Sequence, residues 1–90
     1  MRYIWRSLLL VPSTASAREL YKYNLSIADV KDVLENGQPC QRSKRAKGTH
    51  EICLNRQNKT IRVVVKKTTN AFERSDIWLI VHVGIHSRRS

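Results

Sequence analysis

The chain has 90 residues, of which 41% are hydrophobic. A single domain of this length hides only about 60 to 65% of its unfolded surface, which argues against a large enclosed active-site cavity. Lysine and arginine number 17 against 7 acidic residues, giving a formal net charge of +10. A field of this sign concentrates phosphates, so we expect a polyanionic partner.

The positive charge is concentrated in the second part of the chain. Residues 1–39 carry 5 basic and 4 acidic side chains, a balance of +1, whereas residues 40–90 carry 12 and 3, a balance of +9. One interpretation is a solubilising surface or a basic arm. Because several of these cations alternate with strand-forming residues, we favour a binding surface.

The first predicted element is a strand within residues 2–11, which are rich in aromatic and branched apolar side chains. Residues 1–17 also imitate a signal peptide, because basic residues precede an apolar segment and small residues follow it. The apolar segment at 8–11 is shorter than the roughly 7 to 15 residues that a signal requires, and Pro12 follows at once. We therefore favour a mature strand. No apolar run approaches the roughly 20 residues of a membrane span, so we expect no membrane partner.

A short helix should follow, ending near Tyr23. Ser13 and Ser16 are alternative N-caps, and Ser16 has capping-box spacing with Glu19. The second helix should begin at Ser26, which has the same three-residue capping-box spacing with Asp29.

The second helix is the most regular element of the sequence. Asp29 lies three residues after the Ser26 cap, and Gly37 should end the helix in the left-handed conformation. Apolar residues recur at helical intervals on one face and predict packing on the sheet: Ile27, Val30, Val33 and Leu34.

Residues 38–48 form a predicted basic loop. Two interpretations stay open: a loop that grips phosphates, and a solvated connection whose charges have no special role. The cations concerned are Arg42, Lys44, Arg45 and Lys47.

Residues 50–54 and 61–66 should pair as a hairpin around a four-residue turn at 55–58. Ile52 opposite Ile61 keeps the apolar residues on one face, and the same register sets Glu51 opposite Arg62. We name the face turned away from the helices the open face.

The last strand, near 77–85, alternates cleanly, so its odd-numbered residues should pack under the helices. The open face is then predicted to carry a mixed set of chemical groups: Glu51, Arg62, Lys66, Trp78 and His82.

Such a set of chemical groups is suited to binding and cleaving RNA. Metal-independent cleavage needs a base for the 2′-hydroxyl, an acid for the leaving 5′-oxygen and cations for the phosphate. His82 or Glu51 could serve as base or acid, and Arg62 and Lys66 as phosphate clamps. Trp78 could stack on a base, and the loop cations together with Lys67 could bind the backbone.

Each residue also has a structural interpretation. Glu51 and Arg62 could form a mere cross-strand ion pair, which contributes little. His82 could be a partly packed histidine, and Trp78 could belong to the core or to a protein interface.

Cys40 and Cys53 are too few for a disulfide framework, and two thiols fit a reducing cytosol, although one bridge stays an alternative. No cysteine and histidine spacing typical of zinc involves them with His50, His82 or His86. We expect a cytoplasmic protein with no metal and no cofactor.

The order of these parts resembles a family of small α+β domains grouped with the RelE, ParE and BrnT toxins. The resemblance spans residues 13–86 and is carried by Leu-Ser-x-x-x-Val-x-x-x-Leu-Glu-Asn-Gly at 25–37, followed by Arg-Val-Val-Val at 62–65. Members usually begin the first helix with a His-Ala pair, where this chain has Ala15 and Ser16.

The resemblance implies a single RelE-like domain over 1–90, with an N-terminal two-helix arm packed on a small twisted, mainly antiparallel sheet. Its parts would be a possible first strand at 1–12, a helical hairpin at 13–37, the basic loop at 38–48 and the sheet at 49–86. It also implies a metal-independent endoribonuclease of a toxin-antitoxin system, with RNA, including ribosome-bound mRNA, and a cognate antitoxin as partners. The alternative is a non-catalytic nucleic-acid-binding or protein-interaction module.

Overall fold

The computed structural model describes residues 2–40, 47–71 and 74–87. Within these residues it contains two helices and one mixed sheet of six strands, which confirms the α+β class. In chain order the elements are β1 (Ile4–Trp5), β2 (Leu8–Pro12), α1 (Thr14–Lys22), α2 (Ile27–Asn36), β3 (Gln38–Pro39), β4 (Thr49–Arg56), β5 (Lys59–Asn70) and β6 (Ser75–Ser87).

Two strands precede the helices, where one was predicted. Arg6 and Ser7 separate β1 from β2 and both have positive φ, 47° and 68°, which makes a tight turn. The strand order across the sheet is β1-β2-β6-β5-β4-β3. β2 runs parallel to β6, and the other four neighbouring pairs are antiparallel.

The cap of α1 is Ser13, the earlier of the two alternatives. Its Oγ accepts a hydrogen bond from the backbone N–H of Ser16 at 3.1 Å, and Ser16, fully buried, donates its hydroxyl to the Ser13 carbonyl. The predicted capping box of α2 is confirmed, because Ser26 and Asp29 each accept a backbone hydrogen bond from the other.

Gly37 ends α2, but the predicted left-handed conformation is wrong, since its φ is −84°. Glycine is needed here for a different reason. A Cβ at this position would lie 2.5 Å from the carbonyl oxygens of Val33 and Cys53 and 2.8 Å from Ile52 Cγ2. The residue allows the end of α2 to approach the backbone of β4 closely.

The predicted hairpin forms, but its register differs from the prediction by two residues. Leu54 lies opposite Ile61 and Ile52 opposite Val63, around a tighter turn in which Gln57 has a φ of 49°. Because side chains alternate with a period of two, the even shift leaves every residue on its predicted face.

A β-bulge in β6 reverses the predicted face of the β6 residues that precede it. Val64 lies opposite His82 and Val65 opposite Ile80, so Val81 is the extra residue. Trp78 and Ile80 therefore lie on the helix-covered face, and Ile77 and Leu79 lie on the open face, so the predicted faces of all four residues are wrong. The core on that face consists of Trp5, Leu10, Leu20, Val30, Val33, Leu34, Ile52, Ile61, Val63, Val65, Trp78, Ile80 and Val83.

One end of this core is an aromatic cluster. The ring centroids of Trp5 and Trp78 are 5.0 Å apart, and the His50 ring lies 5.3 Å from that of Trp78. Burial, and after it the positive charge of Arg6, lower the pKa of His50 below its ordinary value of 6.5.

Candidate nucleic-acid interface on the open face

All four predicted catalytic residues lie on the open face by register. Arg62 on β5 lies opposite Cys53 on β4 and Gly84 on β6, and Lys66 lies further along β5 on the same face. Glu51 lies opposite Val64, one step from Arg62 on the same face. The alternation of β5 thus brings these groups together, as the sequence predicts.

Glu51 and Arg62 form an ion pair. Arg62 Nε lies 3.5 Å from Glu51 Oε2, and the side chain of Glu51 is only 8% exposed against 34% for Arg62. The carboxylate is therefore better placed to orient the guanidinium than to exchange protons with a substrate. The guanidinium keeps enough exposure to reach a phosphate.

His82 is held by a residue that the sequence did not indicate as functional. Its Nδ1 lies 2.8 Å from Oε2 of Glu19 on α1, and the other carboxylate oxygen accepts the backbone N–H of Val83 at 3.0 Å. β2 pairs with β6 only as far as Ile80, and α1 continues beside the free edge of β6. Glu19 accepts a hydrogen bond from a backbone N–H at that edge and at the same time fixes the imidazole of His82.

Glu19 was predicted as a capping-box partner, whereas Ser13 caps α1 and leaves Glu19 available for β6. Its bond to Val83 spans 64 positions of the chain. A contact between residues so far apart along the chain produces no periodic or spacing pattern in the sequence. The only indication in the sequence is that Glu19 is the single acidic residue between Pro12 and Tyr23.

Gly84 provides the space in which the imidazole lies. A Cβ on Gly84 would be 3.3 Å from His82 Nε2, so the ring covers the glycine backbone. Because Arg62 lies directly opposite Gly84, the guanidinium and the imidazole flank a position that has no side chain. An oriented imidazole and an oriented cation on one exposed face form the candidate site.

The remaining predicted residues are more dispersed. Lys66 and Lys47 are exposed, and Lys67, on the other face from Lys66, lies 4.0 Å from Asp76. Trp78 is 5% exposed in the core and presents no ring to a nucleobase, because the bulge reverses its face. The predictions for Arg42, Lys44 and Arg45 lie outside the described residues.

Cys40 and Cys53 form a disulfide, which is one of the two alternatives that the sequence left open. β3 pairs with β4 through Gln38 and Cys53, and the backbone N–H of Cys40 donates to the Glu51 carbonyl at 3.1 Å. The short β3 brings the two cysteines together at the rim of the open face. The bond fixes the start of the basic loop beside Arg62.

Two further properties of the described residues concern metals and membranes. No group of three or more His, Cys, Asp or Glu side chains there could hold a metal ion. No helix in the part of the chain that the structure describes is long and apolar enough to cross a membrane.

Comparisons with known proteins cover family, sequence and fold. No protein-family model matches the chain, and no curated protein or solved structure matches it.

Proposed function

We propose that this chain is a toxin-like, RNA-directed domain that cleaves RNA without a metal ion, as an endoribonuclease of a toxin-antitoxin system. The observation that carries the proposal is the Glu19–His82 pair beside Arg62 on an exposed sheet face. An imidazole whose Nδ1 is engaged by a carboxylate presents Nε2 to a substrate in one orientation.

In this proposal His82 Nε2 takes the proton of a ribose 2′-hydroxyl. The freed oxygen bonds to the adjacent phosphorus, the bond from phosphorus to the 5′-oxygen breaks, and the leaving oxygen takes a proton from solvent water. Arg62 and Lys66 bind the non-bridging oxygens, where negative charge builds up. Glu51 and Glu19 are positioning residues, one for Arg62 and the other for His82.

The net charge of +10 supports a polyanionic substrate, because it draws phosphates toward the protein before any specific contact forms. The partners in this proposal are RNA, including ribosome-bound mRNA, and a cognate antitoxin that covers the open face. No cofactor takes part in the steps proposed.

A cytoplasmic location belongs to the same proposal, since ribosomes and mRNA are found there. The Cys40–Cys53 bond is more typical of oxidising compartments. Cleavage should therefore be measured both with and without a thiol reductant. Activity confined to the oxidised protein would contradict the cytoplasmic location while leaving the chemistry intact.

The test is incubation of the purified chain with single-stranded RNA in EDTA. We expect cleavage products that end in a 2′,3′-cyclic phosphate. His82→Ala should lower the rate about 10²- to 10⁴-fold, the range for loss of a general base. Glu19→Gln should lower kcat by a smaller factor and leave KM unchanged, because it acts through His82.

His86→Ala is the matched control, since it removes an exposed imidazole from the same strand. Intact RNA after incubation with the folded wild-type chain would overturn the enzyme proposal. In cells, expression should arrest growth, and His82→Ala should abolish the arrest while the protein stays folded.

The second candidate function is a non-catalytic nucleic-acid-binding or protein-interaction module. It is favoured by the bond from Val83 to Glu19, because that carboxylate also has a purely structural task at the edge of β6. In this case RNA stays intact but binds, and its affinity falls steeply as the salt concentration rises.

A further inference from the structure

We propose that Tyr21, on the outer face of α1, is the stacking platform for a nucleobase of the bound RNA. The inference rests on the proposed function, because it assigns a base-binding subsite to the same RNA. Trp78, the aromatic residue expected to do this, is buried. Tyr21 is 91% exposed, more than the other exposed large hydrophobic residues among those described.

The Tyr21 ring lies on the solvent side of α1. Tyr21 belongs to an outer face of α1 that repeats at positions i, i+3, i+4 and i+7, none of which packs on the sheet. The phenol borders a shallow pocket at the junction of β2 and α1. The pocket is lined by Pro12, Ser13, Thr14, Ala17, Arg18 and Tyr21.

The charges around this pocket match a nucleic-acid strand. Arg18 lines the pocket, and Lys22, one turn further along the helix, is exposed with its Nζ 5.4 Å from the centroid of the Tyr23 ring. Glu19 is the single acidic residue in this part of the chain, and its carboxylate is engaged by Val83 and His82. The pocket therefore combines a π-face with uncompensated positive charge, which is the combination that single-stranded nucleic acid binds.

The position relative to the candidate site also fits. Arg18 and Lys22 flank Glu19 along α1, before and after the carboxylate that holds His82. A strand whose phosphate lies at Arg62 and His82 would continue past these two cations. Tyr21 lies two residues after Glu19, about 200° around the helix axis, so the base that reaches its ring belongs to a nucleotide further along the strand. Recognition is thereby spread over several nucleotides.

The test uses two labelled oligonucleotides of equal length and phosphate number. One is a single-stranded 2′-O-methyl RNA, which lacks the free 2′-hydroxyl and cannot be cleaved; the other is its abasic analogue. Binding is followed by fluorescence anisotropy at fixed salt concentration. We expect Tyr21→Ala to weaken binding of the base-containing strand about 5- to 100-fold. Its affinity for the abasic strand should not change.

Tyr21→Phe should keep wild-type affinity, because the ring is retained. Ile4→Ala is the control, since it removes an exposed hydrophobic side chain on β1 that does not line this pocket. A wild-type chain that binds neither strand would overturn both this inference and the proposed function. Equal affinities of wild type and Tyr21→Ala would overturn only the stacking platform. A dimer that forms without RNA and is lost in Tyr21→Ala would also overturn the stacking platform.

Discussion

The two faces of β5 are stabilised in different ways. On the helix-covered face, Ile61, Val63 and Val65 are at most 4% exposed, and each buried side chain of this size stabilises the fold by roughly 1.5 to 3 kcal/mol. On the open face, Arg62 forms an ion pair that is a third exposed, and such pairs contribute little. The fold depends on the first face, which leaves the second available for binding.

The open face is nevertheless not entirely polar. Val64 is 1% exposed, and its neighbours in register are Glu51 and His82. The side chains of two proposed functional residues thus also shield an apolar one. The comparison between the faces can be tested by substitutions that separate stability from RNA binding.

The largest expected effect on stability concerns the disulfide, which joins the end of β3 to β4 at the rim of the open face. Replacing both Cys40 and Cys53 by Ser should lower the free energy of unfolding by about 3 kcal/mol, because the unfolded chain regains the entropy of a short loop. Urea unfolding measures this effect. A reductant should destabilise the wild type equally and leave the double variant unchanged. A wild type insensitive to reductant would show that the bond does not constrain the chain.

Gly37→Ala should cost about 2 to 3 kcal/mol, since its Cβ would overlap backbone oxygens that cannot move away easily. Gly84→Ala is the matched control on the open face, where only the imidazole of His82 must yield. We expect it to cost less than about 1 kcal/mol but to lower the cleavage rate. Equal losses of stability would mean that the open face is packed as tightly as the helix-covered face.

Val63→Ala should destabilise the protein by about 2 kcal/mol and leave RNA affinity unchanged in the folded protein, because the side chain is fully buried under the helices. Arg62→Ala, one residue away, should cost less than about 1 kcal/mol and weaken RNA binding. Chemical denaturation and fluorescence anisotropy on the same two variants check both statements. Unchanged RNA affinity in Arg62→Ala would show that the open face does not bind RNA through this cation.

The smallest expected effect is a pH dependence of stability that comes from His50. Its pKa is lowered in the folded state, so the unfolded state binds more protons below about pH 6.5. The stabilisation is present above that value and is lost as the pH falls. His50→Asn should flatten the decrease in unfolding free energy between about pH 7.5 and about pH 5.5.

His86→Asn is the control for this pH dependence, because His86 is exposed. Fluorescence of the two tryptophans, both next to His50, reports the unfolding transition. Identical slopes for wild type and His50→Asn would show that the pH dependence does not come from His50.

The sequence by itself determined the elements whose signals are local. The Ser26–Asp29 capping box, the apolar stripe of α2 and the alternation of β5 each depend on spacings of a few residues. These spacings set which side chains share a face, so Glu51, Arg62 and Lys66 were placed correctly even with the register two residues off. The net positive charge, too, is a property of composition alone.

Only the tertiary structure decided the features that depend on distant contacts. The bulge at Val81, which moved Trp78 into the core, arises from pairing β5 with β6. Glu19 meets His82 because β2 ends before β6 does, and the Cys40–Cys53 bond forms because β3 adds to the edge of β4. Local periodicity cannot report where one strand ends beside another, and the candidate site lies at such a place.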